Sequence, residues 1–372
     1  MSHRPLIVAL IAGFLSLASQ VSAEENRLNL YSWREYFSED VLESFSRATG
    51  IKTNLLTYET REEAAGKLMA GGAGADLVIL SAEPHLDQAI RAGKFQPLDA
   101  AKLPALAGQD PALMKLLGSA GFPEGYAGIY LWGTLGLAYR TDLVKKRAED
   151  APLNSYALLF DPRFAKKLAG CGIGLIDDPM VVLPMALRYL GLDPNKAGQP
   201  EWERAAAVVA KIRPYVKTLD STTLVTDLAE KKLCLATEWN GDAVQAANRL
   251  KAKEPPPKAG QPAPAIDYVV PREGGLAFID AFAIPKDAAH PAAAYAFLNH
   301  LLQPKMIAVT AGEKGYANGH PASQALVYAP VAADPRIFPP DAVKARLTLV
   351  KPLAPELQMV VDQLWMEVKA AE

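Results

Sequence analysis

From residue 27 onward, short apolar runs with strand character alternate with stretches of helical period. "RLNLYSW" reads as a strand. It is followed by "SEDVLESFSRATG", a helix with Ser38 as N-cap and Gly50 as its C-terminal stop. "IKTNLLTY" is the next strand, and "TREEAAGKLMAGG" a second helix whose Thr60 and Glu63 form a capping box. "ADLVIL", closing on Ser81, has the continuous apolar character of a buried parallel strand, and "AEPHLDQAIRAGKF" reads as a helix. Such a βαβαβ start predicts a parallel sheet with right-handed crossovers.

The alternation resumes further along. "GYAGIYLWGTLGLAYRT" is long, apolar and aromatic, and reads as strands crossing out of the first domain. "GCGIGLIDD" predicts a strand leading into the helix "PMVVLPMALRYLG", and "EWERAAAVVAKIRPYV" an amphipathic helix. "LVTDLAEKK" and "LCLATEW" give a helix and then a strand, and "NGDAVQAANRLKAK" gives another helix. "EPPPKAGQPAPA" is a proline-rich surface loop, too short to separate modules. "LAFIDAFAIP" alternates as a strand; "HPAAAYAFLNHLLQP" and "APELQMVVDQLWMEVKAA" are helices. Strand–helix alternation in both halves predicts two α/β lobes with a cleft between them, an architecture that closes on ligands by hinge motion.

At 372 residues the chain is too long for one compact core and about right for two domains. The first 23 residues depart from the pattern. Arg4, the apolar run "LIVALIAGFLSLA" and the small-residue site Val21-Ser22-Ala23 read as a secretory signal, with the mature chain beginning near Glu24. The apolar run is short for a membrane anchor, and no Cys follows the cleavage site to carry a lipid. The mature protein is therefore expected to be soluble and exported. The mature balance is 38 basic against 41 acidic residues, net −3, too mild to steer polyanions such as nucleic acid or to hold a membrane surface. Cys171 and Cys234 form an even pair, which in an exported protein reads as one disulfide; two buried free thiols are the alternative.

Catalytic signatures are lacking. His85, His290, His300 and His320 are scattered, without the spacing of a zinc motif, and two thiols alone make a poor metal site. There is no GxSxG, HExxH or Walker A sequence, and "MAGGAGAD" follows a helix and precedes a strand, the reverse of a phosphate cradle. No cofactor or metal is expected. What recurs is an aromatic beside an acid at a strand end: Trp33 with Glu35 and Tyr36, Trp239 with Asp242, Phe278 with Asp280. Asp177 and Asp178 close another strand, and Tyr316 lies in the loop "EKGYANG". Aromatic faces attract ammonium groups and cover methylenes, and carboxylates hold ammonium in charge-assisted hydrogen bonds. That chemistry suits an organic polycation.

The segments "YSWREYFSEDVLESFSRATGIK", "GKLMAGGAGADLVILSA", "GKFQPLD", "YLWGTLGLAYRTD", "ATEWNGDAVQAANR" and "AFIDAFAIPKDA" resemble the periplasmic polyamine (spermidine/putrescine) solute-binding proteins of ABC transporters, over essentially the whole mature chain. The resemblance implies a type II periplasmic-binding-protein fold, two α/β lobes of mixed, mainly parallel sheet with the ligand cleft at the hinge. The lobes expected are 24–134 with 265–302, and 135–264 with 303–372. It implies a non-enzymatic, monomeric binder of a small cationic amine that delivers its ligand to a membrane permease, and a Cys171–Cys234 disulfide as in the putrescine-binding branch. Carried over by position, Trp33, Tyr36, Trp239, Phe278 and Tyr316 are the aromatic walls. Asp242 and Asp280 hold one terminal amine, and Ser81 and Ser221 are polar contacts. Glu35 and Asp178 stand at acid positions.

The chain also departs from the family pattern. An acid usual shortly after Asp178 is missing from Pro179-Met180-Val181, so that Asp178 or Glu238 replaces it or the ligand lacks a second free amine. Arg34 replaces a small residue, and it pairs with Glu35 or Glu238, binds a ligand carboxylate, or faces solvent. Glu238 and Asn240 flank Trp239 where small residues are usual. A binder of anionic or zwitterionic solutes, a receptor coupled to signalling, and an exported carboxylate-pair hydrolase are the alternative classes.

Overall fold

The computed structural model describes residues 26–71, 73–253 and 265–371. The expected signal segment, and all but the last residue of the proline-rich loop, lie outside them. Eleven strands form among these residues: β1 Arg27–Trp33, β2 Lys52–Tyr58, β3 Leu77–Ser81, β4 Gly128–Arg140, β5 Ile173–Leu175, β6 Thr218–Leu219, β7 Leu235–Trp239, β8 Ile266–Val269, β9 Gly275–Ala283, β10 Ala317–Asn318 and β11 Leu347–Leu349. They hydrogen-bond in the order β2-β1-β3-β9-β4-β7-β5-β6, with β8 and β10 on β4 and β11 on β9.

The parallel start is as expected: β1 pairs in parallel with β2 and β3. Its strands alternate between two cores. Leu28, Leu30, Leu77 and Ile79 pack on one face with Phe45 and Phe297. Tyr31, Val78 and Leu80 pack on the other with Tyr58, Leu86 and Ile129. Burial on both faces is what a helix-flanked sheet requires. The second half has its own apolar core, built around Leu175, Leu183, Trp202, Leu235 and Leu250.

Two long strands join the halves. The "GYAGIYLWGTLGLAYRT" run forms the single strand β4, thirteen residues long and buried throughout. Its Gly128–Leu135 stretch pairs antiparallel with β9, and its Leu135–Tyr139 stretch with β7. β9 in turn pairs with β3 through Ala283–Asp280 and with β11 through Gly275–Ala277.

Later segments pair along both of these long strands. β8, from the 265–302 stretch, pairs with Leu137–Arg140 in the second half of β4. Within 303–372, Ile307 packs on the first-half core and β10 pairs with Leu131 and Trp132. The helix Pro355–Ala370 seats Val361, Trp365 and Val368 in the second core, with Val350 and Leu353 packed against it.

The stretch read as one helix from Ala82 is α-helical only over Asp87–Arg91, with Glu83 non-helical, and two caps also differ from expectation. Thr60 accepts from the Glu63 amide at 3.1 Å, but the Glu63 carboxylate reaches back to the Glu59 amide rather than to Thr60. Ser38 precedes its helix without capping it, and its hydroxyl donates to Glu313 at 3.0 Å instead. Cys171 and Cys234 are disulfide-bonded, beside the pairing of β5 with β7.

Candidate functional site

A cavity of about 410 Å³ opens between the halves. Its floor is the crossing strands at Leu135, Leu276 and Phe278. One wall comes from the first half at Arg61, Ser81 and His85, the other from Asp178, Val181 and Trp239. Beside it stands a row of rings. Trp239 and Phe278 meet edge to face at 5.0 Å, and Phe278 and Tyr316 at 5.5 Å. Two glycines permit this row. A Cβ on Gly133 would overlap the Phe278 ring and the Asn240 side chain, and one on Gly241 would overlap the Tyr316 ring. Asn240 then locks the corner. Its carbonyl accepts from the Thr134 amide at 3.0 Å and its amide donates to the Arg336 carbonyl at 2.9 Å, tying the start of the helix Asn240–Lys253 to β4.

The acid end is built on β9. Asp280 lies opposite Ser81 in the β3–β9 register and is 5% exposed. Its two oxygens accept from the Tyr36 hydroxyl at 2.5 Å and the Ser81 hydroxyl at 2.8 Å. Burial raises its pKa, against the opposing hydrogen bonds of Tyr36 and Ser81 and the more distant Arg61 charge. Tyr36 is held in turn by an edge contact with Tyr130 at 5.4 Å. Asp242 sits in the first turn of the Asn240–Lys253 helix. Its pKa is raised by burial, with the Tyr316 hydroxyl and Arg249 pulling the other way. A carboxylate has about four lone-pair sites, so Asp280 keeps capacity for a cationic donor after serving both hydroxyls.

The far wall carries an ion pair between the halves: Arg61 lies 3.5 Å from Asp178. Asp178 is also the N-cap of the helix Pro179–Tyr189, accepting from the Met180 amide at 2.8 Å. Glu83 lines the same cavity with both carboxyl oxygens buried and unpartnered, and burial pushes it up to about 8.

Comparison with known proteins places the chain in a family. The profile of a bacterial extracellular solute-binding protein matches residues 40–339. The chain belongs to that family. This solute-binding protein is 37% identical over 374 residues to the putrescine-binding periplasmic protein PotF of Escherichia coli K12, covering 100% of this chain and 99% of that one. It is 34% identical to the putrescine-binding periplasmic protein SpuD of Pseudomonas aeruginosa UCBPP-PA14, over 99% and 98% of the two chains. Its fold matches the spermidine/putrescine substrate-binding protein PotD of Streptococcus pneumoniae with a TM-score of 0.80, at 21% identity, over 93% and 99% of the chains. The type II two-lobed α/β fold class expected from the sequence is therefore the fold class of this solute-binding protein.

The structure brings Tyr36, Ser81 and Asp280 together directly, and joins Trp239, Phe278, Tyr316 and Asp242 as their neighbours. Trp33 ends β1 half-buried, its ring 4.6 Å from Tyr58. Arg34 does not line the cavity. Its side chain is 65% exposed and pairs with Glu59, a partner outside the expected alternatives. Glu35 is exposed in the adjoining turn, with a left-handed φ of 55°. Ser221 is exposed too, its hydroxyl accepting from the Asp177 amide at 3.1 Å, so its contact positions the 176–178 turn. Asp177 itself faces the C-terminal helix through Trp365. Glu238 is 2% exposed with one oxygen unpartnered, and burial beside Asp242 drives its pKa well above the carboxylate range.

Arg61, Glu83 and Asn240 are among the residues at the cleft that sequence reasoning gave no role. Arg61 left one trace: a cation in the first helical turn opposes the helix dipole, which favours acids there.

Proposed function

We propose that this protein captures a polyamine or closely related amine and hands it to the permease of an ABC transporter. The observation that carries the reading is Asp280, a buried carboxylate presented by two hydroxyl donors and flanked by a row of rings. A terminal ammonium completes its coordination, Asp242 supplies a second negative charge, and Trp239 and Phe278 cover the methylenes. Full-length similarity to putrescine-binding proteins supports the same class.

The first lobe is taken to comprise the β1–β3 unit with the helices after β9, and the second the β5–β7 unit with β8 and the C-terminal helix. β4 and β9 serve as the hinge strands. Closure of the lobes around the amine creates the surface that docks on the permease, and the protein works as an exported monomer after removal of residues 1–23, without enzymatic turnover. Among the described residues no helix is long and apolar enough to cross a membrane.

Titration calorimetry with putrescine, cadaverine, spermidine, agmatine and ω-amino acids tests the reading. Saturable binding of at least one ammonium ligand is expected. Silence from all of them at millimolar concentration would overturn it.

A further inference from the structure

Asp178 stands on the far wall at a position where an acid could receive a ligand's second ammonium. Both of its oxygens are already engaged. Oδ1 accepts from the Met180 amide at the start of its own helix, and Oδ2 lies 3.5 Å from the Arg61 guanidinium, which comes from the other half of the molecule. The two side chains are 27% and 29% exposed, so the pair is partly shielded from water.

Arg61 opens the helix Arg61–Ala70, whose first turn otherwise carries Glu62 and Glu63. A cation there gains nothing from the helix dipole, and its partner lies across the cavity rather than on the helix. Of the remaining acids on this wall, Glu62 is solvated and Glu83 is desolvated. Glu62, 73% exposed, is 3.5 Å from His85. Burial pushes Glu83 up to about 8, and Lys351 lines the same cavity.

We propose that Arg61 is a specificity-determining residue, which withholds Asp178 from a ligand's second ammonium and presents its free guanidinium donors to a carboxylate at that end. The proposal rests on the amine-binding reading above, in which the near ammonium sits at Asp280. A guanidinium has five N–H donors in a planar fork, and the contact with Asp178 engages one nitrogen of an arginine that lines the cavity. A diamine must therefore place its second charge beside a resident cation or displace it. An ω-amino acid of the same length meets a complementary group, which Arg binds bidentately. The far end thus discriminates by charge, while the near end accepts the same ammonium from either ligand.

The test is calorimetry with a matched pair, 1,4-diaminobutane and 4-aminobutanoate, on the wild type, Arg61→Gln, Arg61→Lys and Asp178→Asn. Arg61→Gln should tighten the diamine and weaken the amino acid, moving the ratio of their Kd values toward the diamine by about tenfold or more, roughly one charge contact. Arg61→Lys, which keeps the charge but not the fork, should keep the discrimination against the diamine while weakening the amino acid. Asp178→Asn should move the ratio toward the amino acid. A ratio unmoved in Arg61→Gln, or shifted toward the amino acid, overturns the proposal while leaving the amine site intact. Absence of binding by both ligands to the wild type and to Arg61→Gln, with folding confirmed by circular dichroism, overturns this proposal, and the amine reading falls with it only when cadaverine, spermidine and agmatine are silent as well.

Discussion

Neutralising Asp280 separates affinity from stability. The carboxylate is 5% exposed and holds the Tyr36 and Ser81 hydroxyls at 2.5 and 2.8 Å. Asp280→Asn keeps the shape and one acceptor oxygen but removes the charge that meets the ammonium. Losing one partner of a buried, hydrogen-bonded charge pair costs about 2–5 kcal/mol of binding, or about 30- to 4,000-fold in Kd. Stability without ligand moves the other way. Burial raises the folded-state pKa of Asp280, so over some pH range the folded chain keeps a proton that the unfolded chain has already released. Stability therefore falls as pH rises from the ordinary Asp value through the folded one, and stays lower above it. The Asn variant lacks that decline, and at neutral pH its ligand-free form should unfold at the same temperature as the wild type or higher.

Thermal unfolding of both proteins, with and without the tightest-binding amine, reads both effects. At about 100 times the wild-type Kd the ligand adds about 2.7 kcal/mol to the wild type. A variant weakened about 30-fold gains only about 1 kcal/mol at that concentration. Equal ligand-induced stabilisation of the two proteins would remove Asp280 from the site. A ligand-free variant clearly less stable than the wild type at neutral pH would refute the desolvation argument.

Three further outcomes are expected. Gly241→Ala drives a methyl into the Tyr316 ring, so it should cost about 1–3 kcal/mol in a urea titration and weaken amine binding as Tyr316 leaves Phe278 and Asp242. Replacing both Cys171 and Cys234 by Ser, which opens a crosslink of sequence separation 63, should lower stability by about 4 kcal/mol in denaturant while leaving amine affinity near the wild-type value. Glu238, buried with a raised pKa, makes folding less favourable as pH rises above the ordinary Glu value. Unfolding free energies of Glu238→Gln and wild type should therefore diverge in favour of the variant between mildly acidic and alkaline pH; parallel pH curves would contradict this.

Period, caps and composition already determined the βαβαβ opening, the helices either side of Gly50 and Thr60, the long apolar crossing strand, and the acid–aromatic neighbours, although Phe278 and Asp280 lie within β9 rather than at its end. These depend on local backbone preference and on which face of a strand is apolar, and both are written in neighbouring residues. The family resemblance placed Tyr36, Ser81, Trp239, Asp242, Phe278, Asp280 and Tyr316 at the cleft. What the tertiary structure decided was partnership. Arg34 and Glu59 lie at the ends of adjacent strands, so the cation beside Trp33 turns outward, and Ser221 holds a turn instead of lining the cavity. Arg61 and Asp178 are 117 positions apart, and nothing along the chain couples them. Only the two crossing strands bring their helix starts face to face, and the charge that a ligand meets at the far end is settled by that approach.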